Sequence, residues 1–140
     1  MSSRHKSREL AVQFVFQEGF KNHSSDFERK LESFWTHQAQ SQDDNQEYFE
    51  KLARGVKQHL PTIDSQIEQA LENWRFERVD KLDLAILRVA LFELKHSSEK
   101  IPGAIVIDEA LNIAKKFCEK NSSSFINGLL DAIMKKKDHA

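Results

Sequence analysis

A chain of 140 residues fits one domain spanning residues 1–140 and is long enough to bury about two thirds of its unfolded surface, so no metal or disulfide is needed to hold it together. Its 21 Lys and Arg against 22 Asp and Glu leave a net charge of -1, which excludes a strong global attraction to nucleic acid and leaves only local basic patches to provide one. Cys118 is the only cysteine, no apolar run approaches the roughly 20 residues that span a bilayer, and the start Met-Ser-Ser-Arg-His-Lys-Ser-Arg has no apolar signal core, so the sequence reads as that of a cytoplasmic protein.

Scarce glycine, two prolines and the lack of sustained two-residue alternation predict an all-α fold. A first helix is predicted from about Arg4 to Gln17, with Leu10 and Phe14, and Ala11 and Val15, paired at i, i+4, Val12 and Phe16 widening the stripe, and Gly19 as the stop. Its basic first turns carry no apolar residue and are expected to project beyond the core into solvent. Ser24 or Ser25 can cap a second helix, with Glu28 returning the capping bond and Phe27, Leu31, Phe34 and Trp35 on one face. A polar loop from Gln38 to Gln46 follows, where Asp43, Asp44 or Asn45 can cap a third helix bearing Tyr48, Phe49, Leu52, Ala53, Val56 and Leu60. Pro61 ends that helix, because the residue before a proline disfavours helical geometry, and Thr62 can cap a fourth, with Ile63, Ile67, Ala70, Leu71 and Trp74 as its stripe.

The most apolar stretch runs from Asp83 to Leu94. Leu84, Leu87, Val89, Leu91 and Leu94 leave almost no polar arc, which predicts a helix covered on several sides, the centre of a bundle, capped by Asp80 and reached through the link Glu77 to Val79. Arg88 inside it needs an ion-pair partner, Glu93 or another acid, because a buried unpaired guanidinium is costly. After the polar run His96 to Lys100, Ala104-Ile-Val-Ile107 alone reads equally well as a strand. Ala110, Leu111, Ala114 and Phe117 continue its stripe at helical spacing, however, and Pro102 stands where a helix start tolerates proline. Ser122 or Ser123 can cap a seventh helix with Phe125, Leu129 and Ile133 at spacings of four. Gly128 is expected to let it approach the central helix closely, and Lys135 to Lys137 suit its C-terminal dipole.

For chemistry the sequence is sparse. It has no Gly-rich phosphate loop, no Gly-x-Ser-x-Gly elbow, no Cys-x-x-Cys pair and no cluster with metal-ligand spacing, so neither catalysis nor a metal or other cofactor is expected. Asp108-Glu109 with Asn112 reads as a solvated or partner-facing helix surface, and Cys118 as a small buried hydrophobe. The best binding candidate is the amino-terminal group Arg4, His5, Lys6 and Arg8, all placed before the first acid, Glu9. Taken alone, such a terminus is more commonly a solvated end than a nucleic-acid site.

Four segments in order carry a resemblance: Ser7-Arg8-Glu9-Leu10-Ala11-Val12-Gln13; Asp83 followed by Leu87-Arg88-Val89-Ala90-Leu91-Phe92-Glu93-Leu94; Ile101-Pro102, Val106-Ile107-Asp108-Glu109-Ala110 and Ala114-Lys115-Lys116-Phe117; and Phe125-Ile126-Asn127-Gly128-Leu129-Leu130-Asp131. Together they resemble the NusB family of bacterial transcription antitermination factors, over all but roughly residues 20 to 45. The resemblance implies about seven helices in two packed three-helix units. It also implies a non-enzymatic role: binding boxA-like single-stranded RNA in nascent ribosomal RNA leaders together with ribosomal protein NusE, close to RNA polymerase, so that terminators are read through. It maps the arginine-rich RNA-binding element onto Arg4, Lys6 and Arg8, with His5 and Ser7 where the family often has a basic residue. Phe16 stands where the family usually has tyrosine, and Lys120, Asn121 and Phe125 fall in the loop and helix start beside the RNA-binding helix. Each phenylalanine, taken alone, reads more readily as core than as a stacking platform. Glu77 and Asp83 lie where the family contacts NusE, and as exposed acids they would complement a basic ribosomal protein. Two alternatives stay open: an interaction module without RNA binding, and the RNA-binding domain of ribosomal RNA cytosine methyltransferases, against which the end at Ala140 without a nucleotide-binding fold argues. Homodimerisation is also left open.

Overall fold

A computed structural model of the chain describes residues 4–20, 26–39, 43–72 and 75–136. Among them run seven helices: α1 (Arg4–Glu18), α2 (Phe27–Phe34), α3 (Asp43–Gln58), α4 (Leu60–Ala70), α5 (Lys81–Leu91), α6 (Gly103–Phe117) and α7 (Ser122–Lys135). Wider π turns extend α2 through Trp35–Ala39 and α5 through Phe92–His96, and a short 3-10 turn, Phe76–Arg78, leads into α5. No strand occurs among the described residues.

The expected architecture is present. α1, α2 and α3 form one three-helix unit, in which the buried Phe14 meets Phe27, Phe34 and Phe49 edge-on at ring separations of 5.6, 5.5 and 6.1 Å, the arrangement that aromatic quadrupoles favour. α5, α6 and α7 form the second, with α4 packed on α5 and α7. α5 is the shared centre: it touches α1, α3, α4, α6 and α7, and Asp83 through Leu91 are all buried. Its start is fixed by Asp80, whose Oδ1 accepts from the backbone N–H of Leu82 at 2.9 Å and of Asp83 at 3.2 Å, as an N-cap should. Arg88 donates two parallel hydrogen bonds to Asp64 of α4, both 2.9 Å, rather than pairing with Glu93, because an acid across the helix–helix seam matches the fork better than one five residues along the same helix.

Gly19, with φ of 64°, ends α1 as its position predicts. Other expectations are corrected. Thr62 is not the cap of α4: α3 already stops at Gln58, and α4 starts at Leu60 with Pro61 in its first turn, where the missing N–H costs nothing. α7 begins at Ser122 after Asn121, without a side-chain cap. The capping serines Ser24 and Ser25, and Trp74 of the fourth stripe, lie outside the described residues, while Glu28 pairs with Arg54 instead of closing a capping box. Gly128 faces solvent, and a Cβ there would meet nothing within 4 Å, so no close approach depends on it. The tight contacts are elsewhere: a Cβ on Gly55 would collide with the Phe92 ring, and one on Gly103 with Met134 Sδ.

Candidate nucleic-acid interface

The first turns of α1 do not project beyond the core. Ser7, Arg8 and Glu9 are buried, because α1 runs along α3 and α5 and meets α6, and acids from those neighbours compensate its cations. Arg8 donates from Nε to Glu93 at 2.8 Å, with Glu109 3.3 Å from its Nη1. The Tyr48 hydroxyl donates to the other Glu93 oxygen. Burial alone would depress the Arg8 guanidinium, but its hydrogen bond to Glu93 and the charges of Glu93 and Glu109 outweigh that and hold its pKa above the ordinary value. Burial, and then the bond to Glu93, push the Tyr48 phenol well up. This is a satisfied polar knot joining α1, α3, the turn after α5, and α6. Its Arg8 does not reach the surface.

Around the knot the remaining basic groups sit at the surface. Arg4 lies over the Tyr48 ring, 4.2 Å from its centre, and shares Glu99 with Lys51 at 2.9 and 3.0 Å. His5 places Nε2 3.0 Å from Glu9 and Nδ1 2.9 Å from Glu109. Lys6 is exposed, 3.9 Å from Glu9. Thus Arg4, His5 and Lys6 surround the first turn of α1 at the surface, each beside an acid, and Arg8 anchors that turn to the core.

At the other end of α1 the aromatic groups take a different form. Phe16 is 47 % exposed and Phe117, at the end of α6, 41 % exposed. They line a cleft of about 720 Å³ with Lys81, Leu82, Asp80, Cys118, Glu119 and Lys120. The geometry resolves the choice between core and platform for Phe16 in favour of exposure. The sequence alone gave Phe16 a core role because its i, i+4 neighbours are apolar; α1 simply ends before anything covers it. Phe125 is partly buried against the core and lines an adjoining cleft of about 320 Å³ with Arg78, Asp80, Asp83, Glu119, Asn121 and Ser122. Lys120 therefore shares a cleft with Phe16, whereas Asn121 and Phe125 line the adjoining cleft, which has Asp80 and Glu119 in common with it. Sequence reasoning passed over Phe117 and Lys81. The signal for Phe117 was its place at the last turn of α6, where a helix stripe runs out of neighbours.

Of the two acids, Glu77 is exposed in the 3-10 turn, but Asp83 is not the surface acid expected: it is 6 % exposed at the floor of the second cleft. The first turn of α5 rotates it inward toward α7. Burial raises its pKa against the opposing hydrogen bonds of Ser122 and Cys118, and Oδ1 finds no partner among the described residues. Cys118 shares that environment, and burial followed by the bond to Asp83 pushes its thiol up to about 12, which suits an unreactive cysteine. No group of three or more potential metal ligands occurs among the described residues.

An all-helical bundle with a basic face, exposed aromatics and an acidic flank is a binding protein in form. Residues 5–135 match the NusB family, and the chain belongs to it. It is 38% identical over 135 residues to the transcription antitermination protein NusB of Pseudothermotoga lettingae, covering 96% of this chain and 93% of that protein. It is likewise 38% identical over 136 residues to that of Bdellovibrio bacteriovorus, covering 96% and 97%. A solved structure of T. maritima NusB superposes with a TM-score of 0.82 at 32% identity, over 96% of this chain and 92% of that one. The NusB of a crystal structure of antitermination factors NusB and NusE in complex with dsRNA agrees in fold, with a TM-score of 0.81 at 23% identity over 96% and 98%.

Proposed function

We propose that this protein is a non-enzymatic transcription antitermination factor that acts in the cytoplasm as a single domain. With ribosomal protein NusE it binds boxA-like single-stranded RNA of nascent ribosomal RNA leaders and holds it near RNA polymerase. The observation that carries the RNA reading is the cleft in which Phe16 and Phe117 stand exposed beside Lys81 and Lys120. Single-stranded RNA offers unstacked bases to aromatic faces and phosphates to ammonium groups, and this cleft supplies both. The second cleft, where the exposed Asp80 and Glu119 stand with Arg78 and only Asp83 is buried, and Glu77 nearby in sequence, offers surface acids to a basic protein partner. Its supporting context is the family membership and the NusB–NusE–dsRNA complex whose NusB shares the fold.

Intrinsic affinity for RNA is expected to be low, since Arg8 is held internally and Arg4 shares Glu99. A second RNA-binding protein on the acidic flank raises it by effective concentration. Fluorescence anisotropy of a labelled boxA RNA, titrated with the protein alone and with NusE beside a scrambled RNA, tests this. Selective, tight binding only with NusE is the expected result. Equal, weak binding to both RNAs with and without NusE favours the alternative that the internal ion pairs suggest, an interaction module without RNA binding.

A further inference from the structure

Glu9 is the point on which two lysines and a histidine converge. Its carboxylate is 3 % exposed, and His5 Nε2, Lys116 Nζ and Lys6 Nζ lie 3.0, 3.2 and 3.9 Å from it. These three side chains themselves remain 48, 58 and 54 % exposed in the same order. Two lysines on separate helices would ordinarily diverge, because like charges repel and solvated side chains keep their rotamer freedom. A shared buried counter-ion draws them together across the α1–α6 seam. Each ammonium has three N–H donors, so engagement with Glu9 leaves donors for a second anion on the solvent side.

Lys116 also sits 5.3 Å from the centre of the Phe117 ring, and Phe117 is a wall of the aromatic cleft. One residue thus joins the basic face of α1 to the stacking surface at its far end. We infer that Lys116, gathered with Lys6 and His5 by the buried Glu9, forms a phosphate-binding site on the RNA path between the two, with Glu9 as its positioning residue. The inference rests on the RNA-binding reading above and adds to it a residue of α6 and a role for an acid. Glu9 repels RNA as a charge yet strengthens binding as an organiser.

The test is anisotropy with the same labelled boxA RNA and NusE over a salt series, comparing the parent with K116A, K116R and E9Q. One lost phosphate contact lowers the magnitude of the log affinity against log salt slope by roughly 0.7 and the affinity at 0.1 M salt by about fivefold, taking 1 M as the crossing point. K116A is expected to show both losses and K116R to restore them. E9Q, which removes a negative charge, is expected to weaken binding where simple charge counting has it tighten. Unchanged slope and affinity in K116A, with the parent binding RNA normally, overturn the site while leaving the RNA-binding function intact. Tighter binding by E9Q overturns the positioning role. A parent that binds no RNA even with NusE removes the functional reading and this inference together.

Discussion

Arg8, in the second turn of α1, and Lys120, just beyond α6, are both cations that the family resemblance assigns to RNA, yet the fold treats them in opposite ways. Arg8 has a side chain 8 % exposed and committed to Glu93 and Glu109; Lys120 is exposed on a cleft with Phe16 and Phe117. The difference lies in what each packs against. α1 begins in a four-element junction whose acids fix its cations, whereas the ends of α1 and α6 run out of neighbours together and leave their last aromatics uncovered. Within a basic sequence segment Arg8 therefore builds scaffold, while an apolar segment supplies open surface.

Breaking the scaffold half of this comparison should have the largest effect. E93A leaves Arg8 buried without its main acid and the Tyr48 hydroxyl without an acceptor, and urea unfolding should report a loss of about 3–5 kcal/mol. Replacing the pair together, as in R8M/E93L, should recover much of that loss. A stable E93A would mean that the knot is solvated.

On the cleft side, D83N probes the buried acid. Burial holds the Asp83 carboxyl above its ordinary range, so the folded state binds its proton more readily than the unfolded chain does. The resulting destabilisation is complete above the raised pKa and disappears below the ordinary carboxylate value. D83N should therefore be more stable than the parent at pH 7 to 8, and the advantage should shrink as pH falls through that window. An advantage that grows with acidity would contradict the assignment.

Smaller effects follow at the surface. D80A removes the cap of α5 at the rim shared by both clefts and should cost about 1 kcal/mol in the same unfolding measurement. E28A breaks the exposed fork with Arg54 at 2.7 Å. Although that contact lowers the Glu28 pKa, a solvent-screened pair should contribute under about 1 kcal/mol. If E28A proved as costly as E93A, burial would not be what separates the two ion pairs.

Much of the fold was legible in the sequence because it rests on local periodicity and caps. The apolar character of Leu84 to Leu91, broken only by Arg88, marked α5 as the centre, Asp80 declared its start, and the stripe through Ala110 and Ala114 decided helix over strand for Ala104 to Ile107. What sequence could not give was which acids face which cations across helices: the Arg8–Glu93 and Arg88–Asp64 pairs span 85 and 24 residues. The same gap hid the inward turn of Asp83 and the exposure of Phe16. A stripe names the apolar face of a helix but not where its neighbours end. Gly55, wedged under Phe92, carries no sequence signal beyond being a glycine in a helix.

The most direct measurement of the central claim is the affinity of the NusE complex for boxA RNA with F16A and with F117A. Stacking contributes about 1–3 kcal/mol per base, so each variant should weaken binding by roughly 5- to 150-fold, and unfolding curves should show little change for side chains this exposed. Parent-like RNA affinity in both variants would contradict the assignment of this cleft as the RNA-binding surface.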